Sequence, residues 1–564
     1  MKKKRGHFPD WSEVIPDSGT YRSIFKWGAP GEFKHPNRGF YELIKEKLGM
    51  TDDDFQKRSK EGKETVTCEI PTRLSPEQVA AFKRLVGEEN VAVDDYSRVK
   101  FSSGKTAEEL LRLRDGAFDS VADVVIHPRD KEDVVKIVAF CNDSRIPIHV
   151  YGGGSSVSLG LKCVRGGIAL AMGTHMNRVL DFNETNQTIT VEPGISGPAL
   201  EAELNEAPKR VGAKRSYTCG HFPQSFEFST VGGWIAALGS GQQSSYYGDM
   251  YDIVLSQEYV TPAGVFKTRD YPSTATGPKV NDIMKGSEGA FGVLVGATLK
   301  IFRHLPSSRK RFAFVFPGWQ AAIDASREIF QGEFGAPSMY RISDPEETDA
   351  AFRIYGIEGT PIERMLALRG LKPMRRCLCI GHTEGELGFA RNVKRKIKKI
   401  SKDYGGVFIT GYPVAKWEHG RFSDPYMRED LNDFGVLIDT LEAGVTWDNL
   451  HALHQGVRDL LKSRPNTICM THASHFYPQG TNLYFIFITR TPDIEEYQKL
   501  RDGIIDKIEQ LGGSLSHHHG VGKLMAPWMD RHLGEVQMGV LRAVKKHFDP
   551  NNIMNPGGTL GLDS

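Results

Sequence analysis

The chain has 564 residues and a formal net charge of +2, with 72 Lys and Arg against 70 Asp and Glu. That length exceeds one hydrophobic core and predicts two or three domains, and the balanced charge excludes a general pull toward nucleic acid or anionic membrane. The seven cysteines (Cys68, Cys141, Cys163, Cys219, Cys377, Cys379 and Cys469) show no Cys-x-x-Cys pair and no Cys/His zinc spacing, which fits reduced thiols in an intracellular protein.

No run of about 18 apolar residues occurs, so no spanning helix is expected. The opening Met1-Lys2-Lys3-Lys4-Arg5 is not followed by an apolar stretch, which argues against a secretory signal. The end, Leu562-Asp563-Ser564, is not a peroxisomal Ser-Lys-Leu type address. Residues 1–116 are polar and mixed, with helices expected over Tyr41–Leu48 and Ala107–Leu113 and with Pro30, Pro36 and Pro71 between pieces. They read as a helical N-terminal segment packed on the remainder of the chain.

From residue 117 strands and helices alternate. Asp123–Ile126 reads as a strand, Glu132–Asn142 as a helix with Val134, Ile137, Val138 and Cys141 on one face, and Ile146–Ile148 as a strand. Val150-Tyr151-Gly152-Gly153-Gly154-Ser155-Ser156 comes next. Three consecutive glycines let the backbone take positive φ and bring its N–H groups close to a ligand, and successive N–H groups form an anion nest suited to pyrophosphate. The spacing is neither Gly-x-Gly-x-x-Gly nor the Walker pattern. Ile168–Met172 and Thr188–Val191 read as strands, and a helix is expected from Gly197. In Gln224-Ser225-Phe226-Glu227-Phe228-Ser229-Thr230-Val231-Gly232-Gly233-Trp234-Ile235-Ala236-Ala237, Ser229 and Thr230 can cap a helix that starts at the glycine pair, a second anion-binding feature. Tyr259–Phe266 reads as a hairpin. Gly286-Ser287-Glu288-Gly289-Ala290-Phe291-Gly292-Val293-Leu294 is a third small-residue turn before the strand Gly296–Phe302. A ligand with a long phosphate-containing body would use several such backbone contacts; a plain surface loop is the alternative for any one of them.

Farther on, Phe312–Phe316 reads as a strand and Trp319–Phe330 as a helix. The basic run Lys394–Lys399 sits on an amphipathic helix with Val393, Ile397 and Ile400 inward, a solvated face rather than a nucleic-acid or lipid patch. Gly480–Phe487 reads as a strand. His517-His518-His519 precede Gly520-Val521-Gly522-Lys523. On a strand adjacent side chains point to opposite faces, and no nearby carboxylate or cysteine completes a set, so no metal is expected there. The compact donor array could instead bind phosphate or move a proton near neutral pH.

The order Gly152-Gly153-Gly154-Ser155-Ser156, Phe228-Ser229-Thr230-Val231-Gly232-Gly233, Gly286-Ser287-Glu288-Gly289-x-x-Gly292 and the tail Asp549-Pro550-Asn551-Asn552-Ile553-Met554-Asn555-Pro556-Gly557 resembles the vanillyl-alcohol oxidase / p-cresol methylhydroxylase (PCMH) superfamily. The resemblance covers nearly all of residues 117–564. It implies an α+β chain: a PCMH-type FAD-binding fold of two α/β subdomains over 117–304, an α/β cap over 305–535, and a return to the FAD domain over 536–564, behind the helical segment 1–116. Some members attach FAD through a histidine in the glycine loop; here Gly154-Ser155-Ser156 implies non-covalent FAD. The implied cofactor contacts are Val150–Ser156, Gln224, Ser225, Ser229, Thr230, Gly233, Ala237, Ser240 and Glu288–Leu294.

Ser516–Lys523, His221 with Phe226–Ile235, Thr276-Gly277-Pro278, Arg341-Ile342, Arg428 before an aromatic-rich helix, and Leu483-Tyr484-Phe485 are similar to the alkyldihydroxyacetonephosphate synthase family of ether-lipid synthesis. That family replaces the acyl chain of acyl-dihydroxyacetone phosphate with a long-chain fatty alcohol, using FAD without net redox change, through a flavin N5 adduct. The resemblance implies Tyr484 as acid/base at C1, with His517, His518 and His519 supplying charge or taking the proton onward. It implies Arg341 as needed for a competent flavin site and Arg428 as a clamp on an anionic part of the substrate. A tyrosine ordinarily titrates near 10 and needs cations to act as a base. Without the resemblance, ion pairs for the arginines and a core position for Tyr484 would be the readings.

The chain departs from the family at Lys26-Trp27-Gly28, where a Lys-Trp-rich pattern is only partly present, and at Leu238, where the family has an arginine. The resemblance further implies peripheral membrane contact, a homodimer and no nucleic acid, in the cytoplasm or on a membrane, or in the peroxisome of a eukaryote. Two other readings stand: an FAD-dependent D-2-hydroxyacid dehydrogenase or oxidase of the same fold, and a non-enzymatic flavoprotein.

Overall fold

The computed structural model describes residues 6–563; Met1–Arg5 and Ser564, at the two ends weighed for targeting signals, lie outside the described residues. The protein is α+β, built on three main sheets. In the first, the parallel strands Val124–Ile126, Ile168–Ala171 and Ile148–Tyr151 lie side by side. The helix Lys131–Ser144, started by Asp130 accepting from Asp133 N at 2.9 Å, connects the first to the last. Its Val134, Ile137, Val138 and Cys141 are buried, the face read from their spacing. Val91–Ala92 pairs antiparallel with Val124–Ile126, so the segment ahead of residue 117 contributes a strand as well as helices.

The second sheet is antiparallel and five-stranded, and contains the hairpin of Val254–Thr261 with Gly264–Lys267. The third, in the cap, has seven antiparallel strands. One side of it, ending at the edge strand Val436–Thr446, is formed by that strand, Gly480–Arg490 and Ile468–Tyr477. Alternation along Gly480–Arg490 is strict: Leu483, Phe485 and Phe487 are buried in the core, while Tyr484, Ile486 and Ile488 line a cavity. A strand's period of two forces that division, and each buried Phe contributes roughly 1.5–3 kcal/mol. Phe40, Tyr41, Leu43, Ile44 and Leu48, on the helix Arg38–Leu48, share a core cluster with Val436, Ile468 and Ile488. The N-terminal segment therefore clamps the cap sheet.

Two expectations change. Ser514–His519 is a loop, not a strand. Arg428 lies inside the short helix Met427–Asn432, whose sequence carries no aromatic residue. Among the described residues no helix is long and apolar enough to cross a membrane.

Candidate active site

A cavity of about 1320 Å³ runs from the glycine loop of the first half to the cap sheet. At one end its wall is main chain. Gly152 and Gly153 pass so close to the Phe228–Thr230 segment that a Cβ on Gly153 would stand 2.0 Å from Phe228 O, and one on Gly152 2.5 Å from Thr230 Oγ1. Thr230 caps the helix Val231–Ala236 from the other side. Val150, Gly154, Ser155, Ser156, Gln224, Ser225, Gly233, Ala237, Ser240, Glu288, Gly289, Gly292 and Leu294 also face the cavity.

Some expected contacts turn away. Tyr151 follows Val150 on the strand and points to its other face, against Phe101. Ser229 Oγ accepts the Trp234 indole N–H at 2.7 Å. Ala290 and Phe291 are sealed in the core, as is Val293, whose successor Leu294 takes the cavity face. Leu238, at φ 50°, lays its side chain against Gly286.

The cradle and the histidine loop interlock. Lys523 and Leu524 N–H both donate to Ser158 O at 3.1 Å, and a Cβ on Gly522 would stand 1.9 Å from that oxygen. Glu288 accepts from Val521 N and Gly522 N, each at 2.7 Å. Burial pushes its carboxyl up to about 7, against the pull of those two donors.

At the cap end the wall is side chain. Strand register sets Glu442 opposite Tyr484 and His472 opposite Tyr484, so the three form a row on one face. The Tyr484 hydroxyl is 3.0 Å from Thr440 Oγ1, its ring stacks on His472 at 5.0 Å, and the His519 ring stands 5.6 Å away. Burial pushes Tyr484 up to about 12, with Thr440 and Arg341 opposing. His518 and His519 line the cavity and are held below the usual histidine range, first by burial. His517 sits behind them, 2.8 Å from the Tyr477 hydroxyl.

Glu442, fully buried, organises this loop. Its Oε1 accepts from Ser516 Oγ at 2.8 Å and from the N–H groups of His517, His518 and His519 at 3.0, 3.1 and 3.2 Å. The sequence reading found no carboxylate near the histidines; Glu442 is one. Glu442, His517 and His518 are close enough to surround an ion, but the carboxylate is already committed to these donors.

Arg341 lines the cavity and pairs with Glu347, which His472 also approaches at 3.2 Å. Burial raises the Glu347 carboxyl, yet Arg341 and His472 outweigh it and bring it to about 2. Arg428, also on the cavity wall, donates to Lys105 O at 2.7 Å, Phe25 O at 3.4 Å and Glu429 Oε1 at 3.2 Å. A guanidinium carries five N–H donors, so two remain. Beside it Lys105, which sequence reading missed, is brought to about 7 by burial and by Arg428.

His475 was missed as well. A register shift between Ser474 and Tyr477 bulges its strand, and His475 at φ 54° turns into the cavity. Bulges re-aim side chains in this way beside active sites. The only sequence signals for Glu442 and His475 were a charge between Leu441 and Ala443 and an imidazole between Ser474 and Phe476.

The residues present fit a long ligand with a pyrophosphate and a flat ring system. The cradle offers backbone N–H groups with no Cβ in the way, and Ser287 Oγ and Gln242 Oε1 on the same wall are buried without a protein partner. The wall then extends to the Tyr484–histidine cluster.

Comparison with known proteins agrees with the geometry. Residues 122–269 match a family model described as FAD binding domain, and 305–559 one described as FAD linked oxidases, C-terminal domain. The chain is 31% identical to alkyldihydroxyacetonephosphate synthase of Dictyostelium discoideum, over 86% of this chain and 81% of the relative. A solved alkyldihydroxyacetonephosphate synthase superposes with TM-score 0.79 at 27% identity, covering 95% of this chain and 99% of that one. Substrate-bound p-cresol methylhydroxylase, at 15% identity and TM-score 0.63 over 88% of this chain and 99% of its own, shares the fold.

Proposed function

The chain belongs to the alkyldihydroxyacetonephosphate synthase family and is an FAD-dependent enzyme of it, and from that premise we propose that its substrates are acyl-dihydroxyacetone phosphate and a long-chain fatty alcohol. The observation that carries this reading is one continuous cavity that joins a glycine cradle, the Tyr484–His518–His519 wall and an apolar arm. Phe352, Ile357, Leu366, Leu378, Ile409 and Trp417 line that arm, as an alkyl chain requires. Bound FAD supplies an electron-accepting ring beside the substrate ketone; with no histidine in Gly152–Ser156, it is held non-covalently.

The chain's own groups supply binding and proton transfer. The two remaining N–H donors of Arg428 suit a substrate phosphate or departing carboxylate, with Lys105, whose Nζ donates to Ile24 O and to Lys26 O at 2.9 Å, beside them on the cavity wall. Tyr484, kept protonated by burial, serves as an O–H hydrogen-bond donor to the substrate rather than as a base. The neutral rings of His518 and His519 accept the proton lost from C1. A positioned acid or base group contributes roughly 10²–10⁴-fold in rate. Arg341, tied to Glu347, holds positive charge at the cavity wall. The apolar arm opens among Tyr355, Ile362 and Tyr412, which are 62%, 58% and 65% exposed, and Leu368, close to Ile362 in the chain, is 89% exposed. Such a surface suits peripheral membrane contact. A homodimer completes the reading.

The test is the purified protein itself. It should be yellow, exchange acyl-dihydroxyacetone phosphate with hexadecanol, and release fatty acid without oxygen uptake. Bleaching of the flavin by a D-2-hydroxyacid, with no alcohol exchange, would replace this reading with a dehydrogenase.

A further inference from the structure

Behind the cavity wall a row of hydrogen bonds leads away from the imidazoles. His518 Nδ1 lies 3.1 Å from His517 Nδ1. His517 Nε2 lies 2.8 Å from the Tyr477 hydroxyl, and that hydroxyl donates to Asp249 Oδ2 at 2.7 Å. Asp249 is half-buried and reaches solvent.

The direction of this row is forced at one end. A carboxylate only accepts, so the single Tyr477 proton points to Asp249, and the phenol oxygen must accept from His517 Nε2–H. His518 Nδ1 also lies 3.6 Å from the acceptor Glu442 Oε2, which places the hydrogen on His518 Nδ1 and makes His517 Nδ1 its acceptor. His518 is left with an unprotonated Nε2, an atom that none of its hydrogen bonds to described residues uses. A second branch ends on the same carboxylate. Ser240 donates to Asp249 Oδ1, and its oxygen lies 2.9 Å from His475 Nδ1, with Ser244 Oγ at 2.8 Å from that nitrogen. His475 is thereby left with its own Nε2 bare. Burial keeps both cavity imidazoles neutral and Tyr477 a phenol.

We propose that His518, His517, Tyr477 and Asp249 form a proton outlet from the substrate carbon to solvent, and that Asp249 fixes its direction. This rests on the exchange reaction above, which removes a proton at C1. As the C–H bond breaks, His518 Nε2 takes the proton, and the electron pair spreads onto the adjacent ketone. His518 Nδ1–H then passes to His517 Nδ1, His517 Nε2–H to the Tyr477 oxygen, and the Tyr477 O–H to Asp249. Each hop forms one bond and breaks one, and the carboxyl group sheds its proton to water. Tyr477 and Asp249 are positioning residues, since they act through the imidazoles.

Two measurements test it. In the full-length protein with ¹⁵N-labelled histidine, assigned by single His→Gln variants, His518 should show a bare Nε2 and His517 a protonated one. A protonated His518 Nε2 overturns the outlet whatever the activity. With acyl-dihydroxyacetone phosphate deuterated at C1, the wild type should lose one C1 deuteron to water, whereas Tyr477→Phe and Asp249→Asn should return that deuteron to most of their alkyl product. Equal retention in variants and wild type overturns the outlet while leaving the exchange reaction intact. Absence of alkyl product in the wild type overturns the exchange reaction instead, and the histidine spectrum still decides the wiring.

Discussion

At the cradle, the cavity wall consists of peptide groups and missing side chains: Gly152 and Gly153 leave no room for a Cβ against Phe228 and Thr230. At the cap, the wall includes side chains that burial keeps uncharged: Tyr484, and His518 and His519, whose backbone N–H groups are held by the carboxylate of Glu442. In the proposed reading the first region recognises shape and phosphate, and the second handles protons. The difference implies that added side-chain volume damages the cradle first, whereas lost polarity damages the cap first.

Four experiments break or sharpen that contrast. Tyr484→Phe should lower turnover by roughly 10²–10⁴-fold with flavin absorbance per protein unchanged; loss of flavin would mean that the two ends are not separable. Glu442→Gln replaces a charged acceptor of four donors, and such bonds contribute about 1.5–3 kcal/mol each. Denaturant unfolding should show a loss of that order, with turnover reduced and flavin retained. Gly153→Ala should give the opposite signature, about 1–3 kcal/mol of overpacking and a paler protein, with residual turnover tracking residual flavin.

The smallest effect is a pH slope. His221, sealed against Trp234 with both ring nitrogens unpartnered, is pushed by burial down to about 3. Between about pH 6.5 and 3 the unfolded chain binds a proton that the folded chain does not, so this residue's contribution falls as pH falls. The rate is about 1.4 kcal/mol per pH unit. His221→Leu should flatten the acid limb of a stability curve by that slope, and an unchanged limb would show that the ring finds a partner.

Much of the cradle was legible because its signals are local. A glycine run, a Thr N-cap and a Gly-Ser-Glu-Gly turn each carry meaning within a few residues, and their order resembled one superfamily. Which of those residues face the ligand was not legible. Val150 against Tyr151, and Leu294 against Val293, depend on a strand phase that propensity does not give. The histidines stood out as a run, but their loop conformation and their anchor did not, because Glu442 arrives from a strand about 75 residues away in sequence. His475 was hidden for a related reason: only the bulge turns it inward. Arg428 was found, but not its bonds to Phe25 and Lys105 in the N-terminal segment.

The backbone seam of Ser158 with Lys523 and Leu524, doubled by Glu288 on Val521 and Gly522, has a consequence for how long a cofactor stays. The seam closes over the junction of cradle and cap, so the halves do not part like a clamshell. Release of a flavin through that junction would require local melting of the seam, and dilution or prolonged gel filtration should leave the protein coloured.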